Sequence, residues 1–253
     1  MPARYRGKVR LGQVGFLLCV SAALEAIVRA GYISVLVLSP PSAIIRKIFD
    51  DLEGRELWSS LQTTSLEFIL AFLISLVLGV LFGVLFFRYR LFGNAMEPLL
   101  LAFYAAPTIL LYPVFLTLFG LGSATVVSMA VVLGCIPIMI NINMGLTAVE
   151  PILIKVGRSL KATRWQMFWK VMLPAATPAI FGGLRLGLTY TLVGVVAVEF
   201  ITFSGGLGKM VSWRYFIFDT DGLFSGIAVI SLIAALMNNL LRRAEERIRK
   251  RWT

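Results

Sequence analysis

The sequence contains no histidine. That removes His-based metal sites, imidazole proton relays and His-dependent triads. Cysteine is limited to Cys19 and Cys135, each inside an apolar run, and both read as small buried hydrophobes rather than a disulfide or metal pair. No G-x-x-x-x-G-K-S/T run is present, so the chain has no phosphate loop of its own. Ionisable groups inside the apolar segments are few: Glu25, Arg29, Glu67, Arg185 and Glu199. Glu25 and Arg29 stand four apart on one helical face and read as a structural ion pair. So few reactive groups argue against an enzyme, and the chain is expected to perform no covalent chemistry and to bind no cofactor.

What the chain has instead is apolar length. Hydrophobic residues make up 58% and charged residues 15%, and mean hydropathy is +0.87. Ordinary soluble domains hold about 45–50% and about 25%. Crossing the hydrocarbon takes about 20 mostly apolar residues, and six stretches reach that length: about 14–37, 62–87, 96–119, 121–145, 176–203 and 222–241. Backbone groups in lipid must be satisfied within a segment, so these are helices. The expected fold class is all-α: one polytopic membrane domain over residues 1–253, with six transmembrane helices and a polar loop at 146–175.

The net charge of +11 is explained by position. With the N-terminus inside, seventeen Lys and Arg fall on the cytoplasmic side and five outside. That bias sets both termini in the cytoplasm. The basic groups are split among four segments, which argues against a nucleic-acid surface. The first apolar run outlasts the 7–15 residues of a signal peptide and reads as a retained helix.

The polar interruption Val149 to Pro174 carries Lys155, Arg158, Lys161, Arg164 and Lys170 against one acid, Glu150. Ile154, Leu160, Trp165, Phe168 and Met172 recur within it at helical spacing. A basic amphipathic helix on a loop between spans is a surface that another object must touch. Pro107, Pro113 and Pro137, with Gly120, Gly122 and Gly134, interrupt spans three and four. Such breaks are tolerated where helices bury one another or line a cavity. Tyr104, Pro107, Thr108, Tyr112, Asn141 and Asn143 are therefore candidates for a translocation path, with Glu199 nearer the outer end. Asn141 and Asn143 fit a helix-bridging role better than a solute contact. No inverted repeat relates the two halves.

The interruption resembles the coupling loop of ABC importer inner-membrane permeases, whose pattern is Glu-Ala-Ala, three residues, Gly, nine residues, Ile-x-Leu-Pro. Aligned on Leu173 and Pro174, the Glu-Ala-Ala positions fall at Lys155, Val156 and Gly157. The pattern's glycine, which lets two short helices bend, falls at Lys161, a departure that argues against the bend without removing the amphipathic helix, and its isoleucine falls at Val171. The run RSLKATRWQMFWKVMLPAATPAIFGGLRLGL is similar to the nitrate/sulfonate/taurine branch. Further matches are LSPPSA at 38–43, LFGLG at 118–122, Glu199 with SGGLG at 204–208, FDTD at 218–221 and the tail ending at Trp252.

The resemblance implies a type I ABC importer permease fold in the bacterial inner (plasma) membrane. It implies four partners: a cytosolic ABC ATPase that carries ATP and Mg, a periplasmic or lipid-anchored solute-binding protein, a second permease copy as a homodimer, and the lipid bilayer. ATPase coupling would fall to Lys155, Gly157, Arg158, Leu160, Lys161, Ala162, Arg164, Trp165, Phe168, Leu173 and Pro174, with Trp169 as a further aromatic anchor. The solute would be a small anion of the sulfonate, taurine or nitrate kind. The binding protein would meet segments 38–61 and 203–222. A self-contained secondary transporter or channel is the alternative, and a membrane scaffold subunit a third reading.

Overall fold

The computed structural model describes residues 3–106 and 108–249. Every described element is helical: α1 (Ala3–Arg29), α2 (Pro41–Glu53), α3 (Arg55–Arg88), α4 (Arg90–Ala105), a 3-10 turn (Thr108–Leu111), α5 (Tyr112–Phe119), α6 (Ser123–Thr147), α7 (Pro151–Ser159), α8 (Arg164–Met167), a π-helical turn (Phe168–Met172), α9 (Leu173–Thr202), α10 (Gly206–Phe216) and α11 (Thr220–Arg249). Four helical runs are long and apolar enough to cross a membrane: Arg55–Arg88, Ser123–Thr147, Arg164–Thr202 and Thr220–Ile248. They match the expected second, fourth, fifth and sixth spans.

The other two spans differ from expectation. The first was placed at 14–37, but its helix stops at Arg29. Tyr32 N–H reaches Ile27 O and Gly31 N–H reaches Val28 O, with Gly31 at φ 79°. That is a Schellman stop, and it turns the chain out before Val35, Leu36 and Val37. The third, placed at 96–119, is a bent pair, α4 and then the 3-10 turn with α5. The break falls around Pro107, which lies outside the described residues, as does the side chain of Tyr104.

Helix α6 is the centre of the bundle and packs between α3 and α9. Small residues make the approach possible. A Cβ at Gly79 or Gly83 of α3 would strike Ile138 or Ile142, and one at Gly183 or Gly187 of α9 would strike Asn141 or Ile138. In lipid there is no hydrophobic drive between helices, so such close backbone packing carries the association. Two core clusters follow. Phe68, Ala71, Val126, Ala130, Leu192 and Val195 fill the first, and Ile138, Ile142, Leu146, Val149 and Ala176 the second. Glu25 and Arg29 do pair as read, at 2.6 Å, and Glu25 also accepts from Ser42 N–H and Oγ. The pair therefore fixes the entry into α2.

Candidate functional site

The segment 150–174 folds as two short helices joined by a sharp bend. Pro151 opens α7, where a missing N–H costs nothing. Its C-terminal residues Ser159 and Leu160 lead into Lys161, which adopts φ 54°. The position where the family pattern has glycine is thus a left-handed one here, held by lysine. The bend survives because Ala162 N–H bonds Gly157 O and Lys161 N–H bonds Arg158 O. Helix α8 then starts on a capping box: Gln166 N–H donates to Thr163 Oγ1 and Thr163 N–H to Gln166 Oε1.

The two helices fold back on one another at Gly157. It is buried, and a Cβ there would sit 2.7 Å from Met167 Cε. Beyond α8 the chain widens into the π turn and runs into α9 through Leu173 and Pro174. The aromatic residues divide. Phe168 turns inward against the cluster of Ile138, Ile142 and Val149. Trp165 is 71% exposed, and Trp169 packs beside it with ring centroids 5.3 Å apart. Leu153, Val156 and Leu160 add exposed apolar surface, and with Val171, Pro174 and Lys170 they line an open groove of about 530 Å³. Lys155, Arg158, Lys161 and Arg164 are all exposed, and Ala162 is half-buried. A ring of cations around an apolar centre is the composition of a docking surface.

The path candidates scatter. Asn141 Nδ2 donates to Pro137 O in its own helix, while Asn143 is buried. Thr108 and Tyr112 are half-buried, Tyr112 against the first core cluster. Glu199 is fully buried, 0% exposed, and points at the start of α10. It accepts from Thr64 Oγ1 at 2.7 Å and from Gly208 N–H at 2.8 Å, while Leu207 N–H donates to Thr64. A carboxylate at a helix N-terminus is favoured by the unsatisfied N–H groups there. Glycine at 206 is required by the approach, since a Cβ would lie 2.0 Å from Glu199 Oε1. Glu67, one turn along α3 from Thr64, is buried beside this knot with Oε2 unpartnered.

A second polar knot was not anticipated. Arg214 of α10 is 5% exposed and grips Asp51 of α2 with both terminal nitrogens, at 2.6 and 2.8 Å. It also donates to Gly222 O and Ser225 Oγ, and Ser225 donates to Asp51. Burial alone pushes the Asp51 carboxyl up, but hydrogen bonds from Arg214 and Ser225 and the nearby cations hold it below its usual range. Arg185 of α9 pairs with Glu245 of α11.

A family model described as "Binding-protein-dependent transport system inner membrane component" matches residues 75–250. The chain belongs to this family. It is 33% identical over 223 residues to the riboflavin transport system permease protein of Chloroflexus aurantiacus, covering 88% of this chain and 82% of that one. It is 28% identical over 221 residues to the taurine transport system permease protein of Escherichia coli, covering 85% and 80%. An inward-facing structure of the MetNI methionine ABC transporter superposes with a TM-score of 0.56 at 22% identity, over 79% of this chain and 95% of that one. The chain is thus an ABC transporter permease of the inner-membrane component family, and such subunits are not themselves enzymes.

Proposed function

We propose that this permease docks a cytosolic ABC ATPase through residues 150–174 and moves a small solute inward when that partner binds and hydrolyses ATP. The observation that carries the reading is the exposed Trp165, set between cations on a capped, bent helix pair that continues without a break into the span α9. A push on α8 is passed to α9, and through the close contacts of α9 with α6 to the centre of the bundle. The chain crosses the membrane six times with both termini in the cytoplasm, α1 and the bent α4–α5 pair completing the count. Two copies form the path, ATP and Mg belong to the ATPase, and a solute-binding protein meets the outer segments 38–61 and 203–222. The solute is a small organic or inorganic anion. The similarity of residues 158–188 to the nitrate/sulfonate/taurine branch supports the anion, and the named relatives are permeases of taurine and riboflavin transport systems.

Gentle extraction of the tagged chain with its membrane partners tests this. A stoichiometric ATPase should co-purify, and Trp165→Ala should weaken its retention about 30-fold, the scale of one lost aromatic anchor at about 2 kcal/mol. Uptake of solute by liposomes holding the chain alone, without ATP, would sink the proposal and return the secondary transporter.

A further inference from the structure

A second groove borders the docking segment and shares Phe168, Trp169 and Leu173 with it. Val80, Leu81, Val84 and Leu85 of α3 form one wall, and Phe168, Trp169 and Leu173 the other. It encloses about 490 Å³, within the range of small-ligand pockets, and every wall residue is apolar. Leu81 and Trp169 stand exposed along it. The residue at its end is charged: Arg88, the last residue of α3, lines the groove where the span leaves the membrane. Arg88 takes part in none of the ion pairs among the described residues, and its guanidinium lies 5.8 Å from the centre of the Tyr89 ring. Arg90 follows two residues later, and Lys170 follows Trp169 directly.

Apolar walls within the span and an unpaired cation at its end match one molecule in shape and charge. We propose that the groove holds an acyl chain of an anionic phospholipid of the cytoplasmic leaflet, whose headgroup phosphate is taken by Arg88. The apolar part supplies the seat, and the arginine selects the headgroup, because basic side chains at the cytoplasmic surface attract anionic lipids. One wall of the seat is the π turn itself, so the lipid buttresses the link between α8 and α9. The leaflet rests on the cytoplasmic placement of residues 146–175.

The test uses the full chain in nanodiscs with brominated-chain phosphatidylglycerol or brominated-chain phosphatidylcholine at equal mole fraction. Quenching of Trp169 is read as the difference between the native chain and Trp169→Phe. Phosphatidylglycerol should quench at about fivefold lower mole fraction than phosphatidylcholine, the scale of one basic group at the surface. Arg88→Lys should keep that preference and Arg88→Gln should remove it. Equal quenching by the two lipids overturns the headgroup assignment. No quenching by either overturns the lipid seat altogether, as when a second copy of the chain fills the groove. No ATPase is needed, so failure of the importer reading leaves this result untouched. Labelling of Arg88→Cys in intact cells by a membrane-impermeant thiol reagent would overturn the leaflet alone.

Discussion

The buried pair Asp51–Arg214 makes a quantitative test of how the α2–α10–α11 corner is held. Asp51 is 8% exposed and Arg214 5%, and their hydrogen bonds run to each other, Ser225 and Gly222, with Lys47 3.9 Å from Asp51 and Glu56 3.6 Å from Arg214 as outer ion pairs. Asp51→Asn takes the buried two-point partner from Arg214 and leaves it the exposed Glu56 carboxylate at 3.6 Å, a loss of about 3–5 kcal/mol for breaking such a buried pair. At about 2–4 °C per kcal/mol for a chain of this size, the thermal midpoint in detergent should fall by about 6–20 °C. Replacing both partners, as Asp51→Leu with Arg214→Met, removes the two desolvation costs together and should recover at least half the loss. The pH dependence has a definite sign. The folded-state Asp51 carboxyl sits below its ordinary value, so its contribution is complete above about pH 4 and disappears as pH falls through the lower folded value. The gap between native chain and Asp51→Asn should therefore stay level from neutral pH to about 5 and close only under stronger acid. A single mutant within about 2 °C of the native midpoint, or a double mutant as unstable as the two losses added, would refute the reasoning.

Three further outcomes are expected. Lys161→Gly should raise stability by a few tenths to about 1 kcal/mol. It removes a left-handed conformation that costs a side-chain-bearing residue about 1–2 kcal/mol, partly offset by the flexibility of glycine when unfolded; a lower thermal midpoint would contradict the bend at 161. Phe168→Ala should destabilise by about 3 kcal/mol as a core truncation, whereas Trp165→Ala should stay within about 0.5 kcal/mol as a surface change. Similar melting losses for the two would erase the inward–outward division of these aromatics. Thr64→Val strips Glu199 of a donor and Leu207 N–H of its acceptor, and should cost about 2–4 kcal/mol for two disturbed buried groups; a neutral result in thermal unfolding would show that water replaces the hydroxyl.

The apolar spans and the amphipathic interruption were legible because both are local patterns. A 3.6-residue period and a run of twenty apolar residues need no knowledge of the fold. The stop at Arg29 was also written locally, in Gly31, but an apolar count that runs on through Val35–Leu38 overrides it. The polar knots left no such trace. Asp51 and Arg214 are 163 residues apart, and Thr64 and Glu199 are 135 apart, so only the tertiary fold brings them together. Glu199 stood among the path candidates, with its family position suggesting packing or gating more than solute contact, and the structure gives it buried hydrogen bonds to Thr64 and Gly208. The glycine pair at 205–206 was the available hint that backbone N–H groups approach it closely. Phe168 and Trp165 lie three apart on one helical repeat, and only the packing of the segment against the second core cluster distinguishes the half-buried ring from the exposed one.

Polar contacts are distributed unevenly along the molecule, and α10 receives most of the buried ones. Glu199 and Thr64 hold its N-terminus, while Asp51, Ser225 and Gly222 hold Arg214 near its other end. Each knot loses several groups together if α10 moves relative to α2, α3 or α11, so displacement there is costly. The 150–174 segment is the opposite case. Its helices are short, one residue is left-handed, one turn is π, and much of its apolar surface is exposed. Its internal ties are a capping box, two backbone bonds across the bend and the close approach of Gly157 to Met167, and Ile154, Phe168 and Met172 seat it on the second core cluster. An element seated by apolar contacts alone can shift without breaking buried ion pairs, and under the docking proposal its continuity with α9 would carry the shift inward. Motion driven from the loop would then bend α9 against α6 through their small-residue contacts, while the α2–α10–α11 corner stays one unit. Cross-linking α2 to α10 should therefore leave transport intact, whereas cross-linking α7 to α8 should stop it. The reverse pattern would place the moving part at the α2–α10–α11 corner.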